Sequence, residues 1–334
     1  MVAYGRLMQR SPGKPSAAPI GAANASDRAT RIATRAPSRI DFGGGWTDVP
    51  PYPERDGGFV CNVAISRYAH VRLGLDQATT DPLGAAALRR AGLAAGLAIT
   101  SDFPVGAGLG GSSAAGVAIQ AALAHRAGER VDRETLVRRS RAVEVEELGI
   151  AGGWQDHYAA AYGGALALEF SGETRVTRID LAPATREALE RRCLLLYTGE
   201  TRISGSNITA VLDAYARREP GVIDALARMG ALAREMAAAL ANADLDALGA
   251  LVGEHWVHQR ALHPAITTER IDAIHERAMA AGALGVKALG ASGGGCVAIL
   301  TPEDADPVRE AVSSLGMMLS YSIDTDGATI EWAQ

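Results

Sequence analysis

The sequence predicts an α/β protein of two domains, and three observations carry that reading. Its 334 residues exceed an ordinary single-domain length. Hydrophobic residues make up 48% and charged residues 21%, so the chain can bury a substantial interior. Strand-like apolar runs flank alanine-rich stretches whose apolar positions recur at helical spacing. The boundary is drawn near residue 190, giving a first domain over 31–190 and a second over 191–334. Residues 1–30 carry no apolar signal-peptide run and are expected to form a loose tail.

Extended segments are expected near 31–42 and 59–75, where GFVCNVAISRYAHVRLGL mixes β-branched and other apolar residues. The stretch DFPVGAGLGGSSAAG then opens a helix, because SAAGVAIQAALAHRAG supplies alanines with apolar positions along one face. Asp132 is placed to cap a helix through DRETLVRRSRAVEVEELG, which Gly149 ends. GGALALEF and CLLLYTG read as strands, residues 220–250 and TTERIDAIHERAMAAG as helices, and CVAILT and ATIEWA as strands.

Composition narrows the function. A net charge of −5 without basic clusters argues against nucleic-acid binding. Cys61, Cys193 and Cys296 are too scattered for a zinc cluster and read as buried thiols. No run is long and apolar enough for a membrane helix, and a cytoplasmic protein is expected.

The glycine-rich stretch holds the main chemical signal. Glycines let successive N–H groups turn toward one anion, and the following helix adds its own unpaired donors, a recipe for holding ATP phosphates. A tight strand-to-helix turn accounts equally well for the glycines alone. The stretch has no lysine, so it is not a Walker A loop, and no acidic ribose partner supports a dinucleotide fingerprint. Two downstream acids supply context. Glu144 lies on the expected helix and Asp156 beyond a glycine-rich turn, where they can flank one phosphate. Glu144 with Ser113 is read as the magnesium pair, and Asp156 as the group that accepts a proton from, or orients, the acceptor hydroxyl. Singly, Glu144 reads as a solvated helix residue and Asp156 as a helix cap; jointly placed after the loop, they favour catalysis.

RIDFGGGWTD adds Arg39 to steady Asp156 or developing phosphate charge, Asp48 to accept bonds from sugar hydroxyls, and Trp46 as an apolar wall. An ion pair, a turn cap and core packing are the structural alternatives. TGETRISGSN offers Arg202 and Ser204 to a phosphate or carboxylate, or forms a surface turn. His157 is given a supporting place beside Asp156, and HWVHQRALH is read as helix packing or a substrate wall rather than zinc ligation. GVKALGASGGGCVAIL is expected to help build the site, with Lys287 as a charge partner.

RAPSRIDFGGGWTD, PVGAGLGGSSAAG, AVEVEELGIAGGWQDHYAAAYGG and GVKALGASGGGCV, in that order, resemble the GHMP small-molecule kinase family from about residue 34 to the C-terminus. The resemblance implies an N-terminal domain like ribosomal protein S5, a ferredoxin-like C-terminal domain, and use of ATP with Mg2+. It implies phosphate contacts along Pro104, Gly106, Gly108, Leu109, Gly110, Gly111, Ser112, Ser113 and Ala114, with Ser113 and Glu144 on the metal. Asp156 and Arg39 would be catalytic, and Trp46, Thr47, Asp48 and Arg202 would contact a small-molecule sugar or sugar phosphate. The motifs look closest to the heptose phosphate kinase and fucose kinase branches. TGETRIS and W-V-H-Q-R-A-L tilt the expectation toward a heptose 7-phosphate taken at its anomeric hydroxyl, with L-fucose or another free hexose as the alternative. Ser292 departs from the commoner glycine-rich form of the last loop. A mevalonate-type decarboxylase and a nonenzymatic sensor are the competing classes, and a homodimer is left open.

Overall fold

A computed structural model describes residues 31–200 and 205–334. The tail expected over 1–30, and with it Arg202 and Ser204, lies outside the described residues.

The first sheet is built on two long strands. β1 (Ile32–Gly43) runs antiparallel to β2 (Gly58–Leu75), which is long enough to take β3 (Gly96–Ser101) on its second half and β4 (Ala165–Ser171) on its first. β5 (Glu173–Ile179) extends the sheet beyond β4. Pro37 cannot donate to the ladder, and the register shifts between Pro37 and Ser38, the kind of irregularity a strand uses to absorb a proline.

In the second sheet β6 (Cys193–Tyr197), β7 (Gly285–Ala288), β8 (Cys296–Leu300) and β9 (Met317–Met318) lie in the order β7-β8-β6-β9, and every pairing is antiparallel. The expected ATIEWA strand is β10 (Thr329–Ala333), which pairs with β1 rather than with its sequence neighbours. A single cut at residue 190 therefore does not separate the two sheets.

Helices position the functional loops. A short α1 (Tyr52–Arg55) and α2 (Pro82–Arg90) precede α3 (Gly111–Arg126), which lies on β1 and β2. Thr34 on β1 donates its hydroxyl to the Ala118 carbonyl at 2.7 Å, tying sheet to helix in the core. α4 (Arg133–Ala142) is capped by Asp132, whose side chain accepts from Thr135 N–H. The sequence predicts one regular helix as far as Gly149, but a π-helical turn over Val143–Glu147 interrupts it. Such turns carry an extra residue per loop and recur at functional sites.

α5 (Gln155–Tyr162) follows, then α6 (Pro183–Arg192) and α7 (Gly205–Ala216). The helical stretch expected over 220–250 is two helices, α8 (Pro220–Ala241) and α9 (Leu245–Ala261). Ala243 takes a φ of 57°, and Asp244 starts the next helix by accepting from Ala247 N–H. α10 (Glu269–Ala280) and α11 (Asp306–Val312) complete the second layer. No helix of the described residues is long and apolar enough to cross a membrane.

α8 belongs to both cores. Val222, Leu226 and Met229 pack with the second-sheet residues Leu196 and Ile299, whereas Leu232, Ala233 and Met236 join the first-sheet core with Ile40 and Phe42. Leu232 is fully buried, so Leu232→Ala should lower unfolding free energy by about 2–5 kcal/mol. Urea unfolding checks this, and a loss under about 1 kcal/mol would mean that α8 is not part of the first core.

Candidate active site

The site begins with strand periodicity. Alternate residues of β1 point to opposite faces, so Arg39 and Asp41 share one face while Ile40 and Phe42 enter the core. Arg39 and Asp41 line a cavity of about 470 Å³, together with Trp46, Asp48, Glu144, Gln155, Asp156 and the glycine loop. Among the described residues lining it, Arg39 is the single side chain with a fixed positive charge.

Arg39 joins two parts of the site. Its Nε and Nη2 both lie 2.7 Å from Asp156 Oδ1, and its Nη1 donates to the Gly108 carbonyl at 2.6 Å. The guanidinium is buried, so this charge-assisted contact is shielded from water. Asp156 sits in the first turn of α5, a favourable place for a carboxylate.

The glycine loop turns into α3 through Gly110, whose φ of 75° favours a residue without a side chain. A Cβ there would fall 2.8 Å from the Asp156 carboxyl carbon. The helix thus starts against the Asp156 carboxylate, with its first-turn N–H groups free of intrahelical partners. Pro104, Gly106, Gly108, Leu109, Gly110, Gly111, Ser112 and Ser113 line the cavity; Ala114 is fully buried behind them. The second layer braces the loop, since a Cβ on Gly108 would meet the Leu289 carbonyl at 2.7 Å and Cys296 N–H donates to the Ala107 carbonyl. Ser292 holds a φ of 57° in that bracing loop, where its hydroxyl takes a 3.0 Å bond from Gln259 of the HQR run.

Glu144 comes from the π-helical turn. Its Oε2 accepts from Ser113 Oγ at 3.2 Å and lies 2.9 Å from His157 Nε2, while Ser140 holds the other ring nitrogen at 3.0 Å. Burial opposes ionisation of Glu144, but its bonds to His157, Ser112 and Ser113 outweigh that and hold the carboxyl below its usual value. Glu144 Oε1 is buried without a partner. An unpaired carboxylate oxygen beside a serine hydroxyl is a hard-oxygen donor set that fits Mg2+.

The GWTD turn divides its labour differently from the sequence expectation. Thr47 is fully buried and pinned to the Gly44 carbonyl and the Phe59 backbone, so it shapes the turn and does not face the cavity. Asp48 lines the cavity, yet its Oδ2 accepts the Gln155 N–H at 2.9 Å, so it also caps α5 from outside that helix. Trp46 lines the cavity with an indole N–H that is buried and unpartnered. Trp154 lies under the Arg141 guanidinium, 4.0 Å from its centroid.

Sequence reasoning singled out neither Asp41 nor Gln155. Asp41 pairs with the fully buried Lys287 at 3.1 Å, and Asn62 donates to the Gln155 side chain at 3.4 Å. Two-residue alternation from Arg39 was the available signal for Asp41. His255, from the histidine run, accepts the Gly44 N–H at 2.9 Å, and burial with the nearby Lys287 charge drives its pKa well down.

Two family profiles match the chain, GHMP kinases N terminal domain over residues 82–164 and GHMP kinases C terminal over residues 236–316. A galactokinase from Mycobacterium bovis is 33% identical over 257 residues, covering 66% of this chain and 69% of that protein. The chain belongs to the GHMP kinase family. Within this GHMP kinase group it is related to the sugar-kinase branch. D-glycero-alpha-D-manno-heptose 7-phosphate kinase of Campylobacter jejuni is 27% identical, covering 79% of this chain and 87% of that protein. Bifunctional fucokinase/GDP-fucose pyrophosphorylase of Arabidopsis thaliana is also 27% identical over 84% of this chain, but the match spans 30% of that longer protein. A solved D-glycero-D-manno-heptose 1-phosphate kinase from Bacteroides thetaiotaomicron superposes with a TM-score of 0.70 at 23% identity, covering 91% and 98% of the two chains, a likeness of fold. The two-domain GHMP kinase fold expected from the motifs is the one observed.

Burial, with the charges of Asp156 and Asp41 and against the Gln155 N–H, raises Asp48 from 3.8 to about 6. A folded pKa above the unfolded one stabilises below pH 3.8, and that contribution is lost as pH rises through about 6. Asp48→Asn keeps an acceptor for Gln155 and cannot ionise. Its stability relative to the native protein should climb between pH 4 and 7, by at most about 3 kcal/mol. Denaturant titrations across that range check the sign; a flat difference would refute it.

Proposed function

We propose that the protein transfers the γ-phosphate of ATP to a hydroxyl of a sugar or sugar phosphate. The observation that carries this reading is the Arg39–Asp156 pair, which fixes a carboxylate against the end of the glycine loop, where α3 begins. The loop N–H groups and the α3 N-terminus bind and orient the phosphates. Asp156 aligns the acceptor hydroxyl and accepts its proton, while Arg39 fixes its geometry and faces charge that develops on the phosphoryl group. Glu144 and Ser113 would hold Mg2+, which would supply positive charge to the phosphate oxygens. His157 and Ser140 orient Glu144 for that task.

The acceptor has two readings. A heptose 7-phosphate, taken at its anomeric hydroxyl, is supported by TGETRIS, the W-V-H-Q-R-A-L run and the likeness to the Campylobacter kinase along most of both chains. A free sugar such as L-fucose is supported by cavity charge. Asp41, Asp48, Glu144 and Asp156 line the cavity, and Arg39 is already engaged by Asp156. The deciding experiment offers heptose 7-phosphate, free heptose, L-fucose and common hexoses with MgATP, and locates the new phosphate by NMR. Sugar and ATP bound without ADP release would instead make the protein a sensor.

Asp156→Asn should leave ATP binding near native and reduce kcat by about 10²–10⁴-fold. Unchanged turnover at saturating substrates removes Asp156 from the proton step. Glu144→Gln should shift the magnesium dependence of turnover to higher concentration, with an unaltered magnesium curve as the contrary result.

A further inference from the structure

A second cavity, of about 460 Å³, opens where the ends of α2 and α3 meet α4, and it shares no lining residue with the first. Its charge is the opposite. Arg90, Arg126 and Arg139 line it against one carboxylate, Glu129. Leucine and alanine side chains supply the rest of the wall, apart from the amide of Gln120.

Two of these arginines spend little of their donor capacity on the protein. Arg90 bonds Glu146 and Glu147 at 2.8 and 3.1 Å, both through Nη1, and Arg139 bonds Glu129 at 2.6 Å, again through Nη1. Gln120 is the more telling group. It is 6% exposed and lines the cavity, and its amide has no hydrogen-bond partner among the described residues. Helix C-termini favour cations, so Arg90 and Arg126 in the last turns of α2 and α3 would occur there without a ligand. A buried amide left unbonded has no such reason, because it keeps its desolvation cost.

Guanidinium forks and an amide N–H are all donors, so the complementary ligand is an anion rich in acceptors. The apolar part of the wall favours an organic body over a bare ion. Arg90 also reaches out of the cavity, since Glu146 and Glu147 belong to the π-helical turn that carries Glu144. We infer that this second cavity binds a small organic polyanion, a phosphate ester or a polycarboxylate, and that Arg90 couples its occupancy to the Glu144 turn. An anion that draws Arg90 inward gives up the bonds to Glu146 and Glu147 and loosens that turn. Exposed ion pairs are individually weak, so the effect is a modulation of the first site.

The test titrates the full chain by calorimetry with 3-phosphoglycerate, citrate and neutral glycerol, with MgADP saturating the first cavity and magnesium in excess. At least one of the two anions should bind with a Kd below about 1 mM, and glycerol should not bind. The tighter of the two anions identifies the chemical source. Arg139→Gln and Gln120→Leu should each weaken that anion about tenfold, with native MgADP affinity showing that the fold is kept. Arg138→Gln removes the same charge from the adjacent position, where Arg138 pairs with Glu134 outside the cavity, and should leave the affinity native. No binding of either anion, native affinity in both cavity variants, or an equal loss in Arg138→Gln overturns the site. With the anion bound, half-maximal turnover should need about two- to fivefold more free magnesium, and Arg90→Gln should reproduce that shift without the anion. A magnesium curve unmoved by the bound anion overturns the coupling. The coupling rests on the kinase reading, whereas the calorimetric result stands or falls without it.

Discussion

Asp41, Asp48, Glu144 and Asp156 line one cavity, and the rest of the site is arranged so that they can be held there together. Like charges in a shared, partly dry space raise one another's pKa and repel. Each acid is answered by a different kind of partner. Asp156 has a guanidinium, Asp41 an ammonium, Glu144 an imidazole and two hydroxyls, and Asp48 a backbone N–H. Asp48, given the weakest of these partners, is the acid whose value rises to about 6. Removing a single partner would strand a buried charge, which costs far more than an exposed ion pair returns.

That arrangement explains why distant segments converge. Arg39 and Asp41 come from β1, Glu144 from a π-helical turn, Gln155 and Asp156 from the start of α5, and Lys287 from β7. The π-helical turn over Val143–Glu147 carries Glu144, whose Oε2 meets Ser113 in the first turn of α3. Asp48 links two of the motifs directly, because the carboxylate of one receives the first N–H of the other.

Much of this was legible in the sequence. The glycine loop, the helix it opens, the Asp132 cap and the principal strands follow from turn chemistry and periodicity, and the structure carries them where expected. Two departures have no signal in the local sequence. The helix break at Asn242–Asp244 turns on one alanine in a left-handed conformation, which no propensity signals, and the π-helical turn carries Glu144, whose bonds to Ser113 and His157 are tertiary. Thr47 reads as a sugar ligand beside Asp48, but its hydroxyl is consumed by the turn's own backbone. Asp41 and Lys287 are 246 positions apart, so their pairing is a product of the two sheets meeting and has no local sequence signature.

The contact between Gly108 and the Leu289 carbonyl reaches further than the loop it braces. It joins segments that the two family profiles treat as separate units. An exchange of one half with a relative's would have to preserve a bare α-carbon on one side and a carbonyl position on the other. The recombination unit is therefore the pair of halves, and shuffling between the two profile segments selects for partners that already agree on this backbone contact.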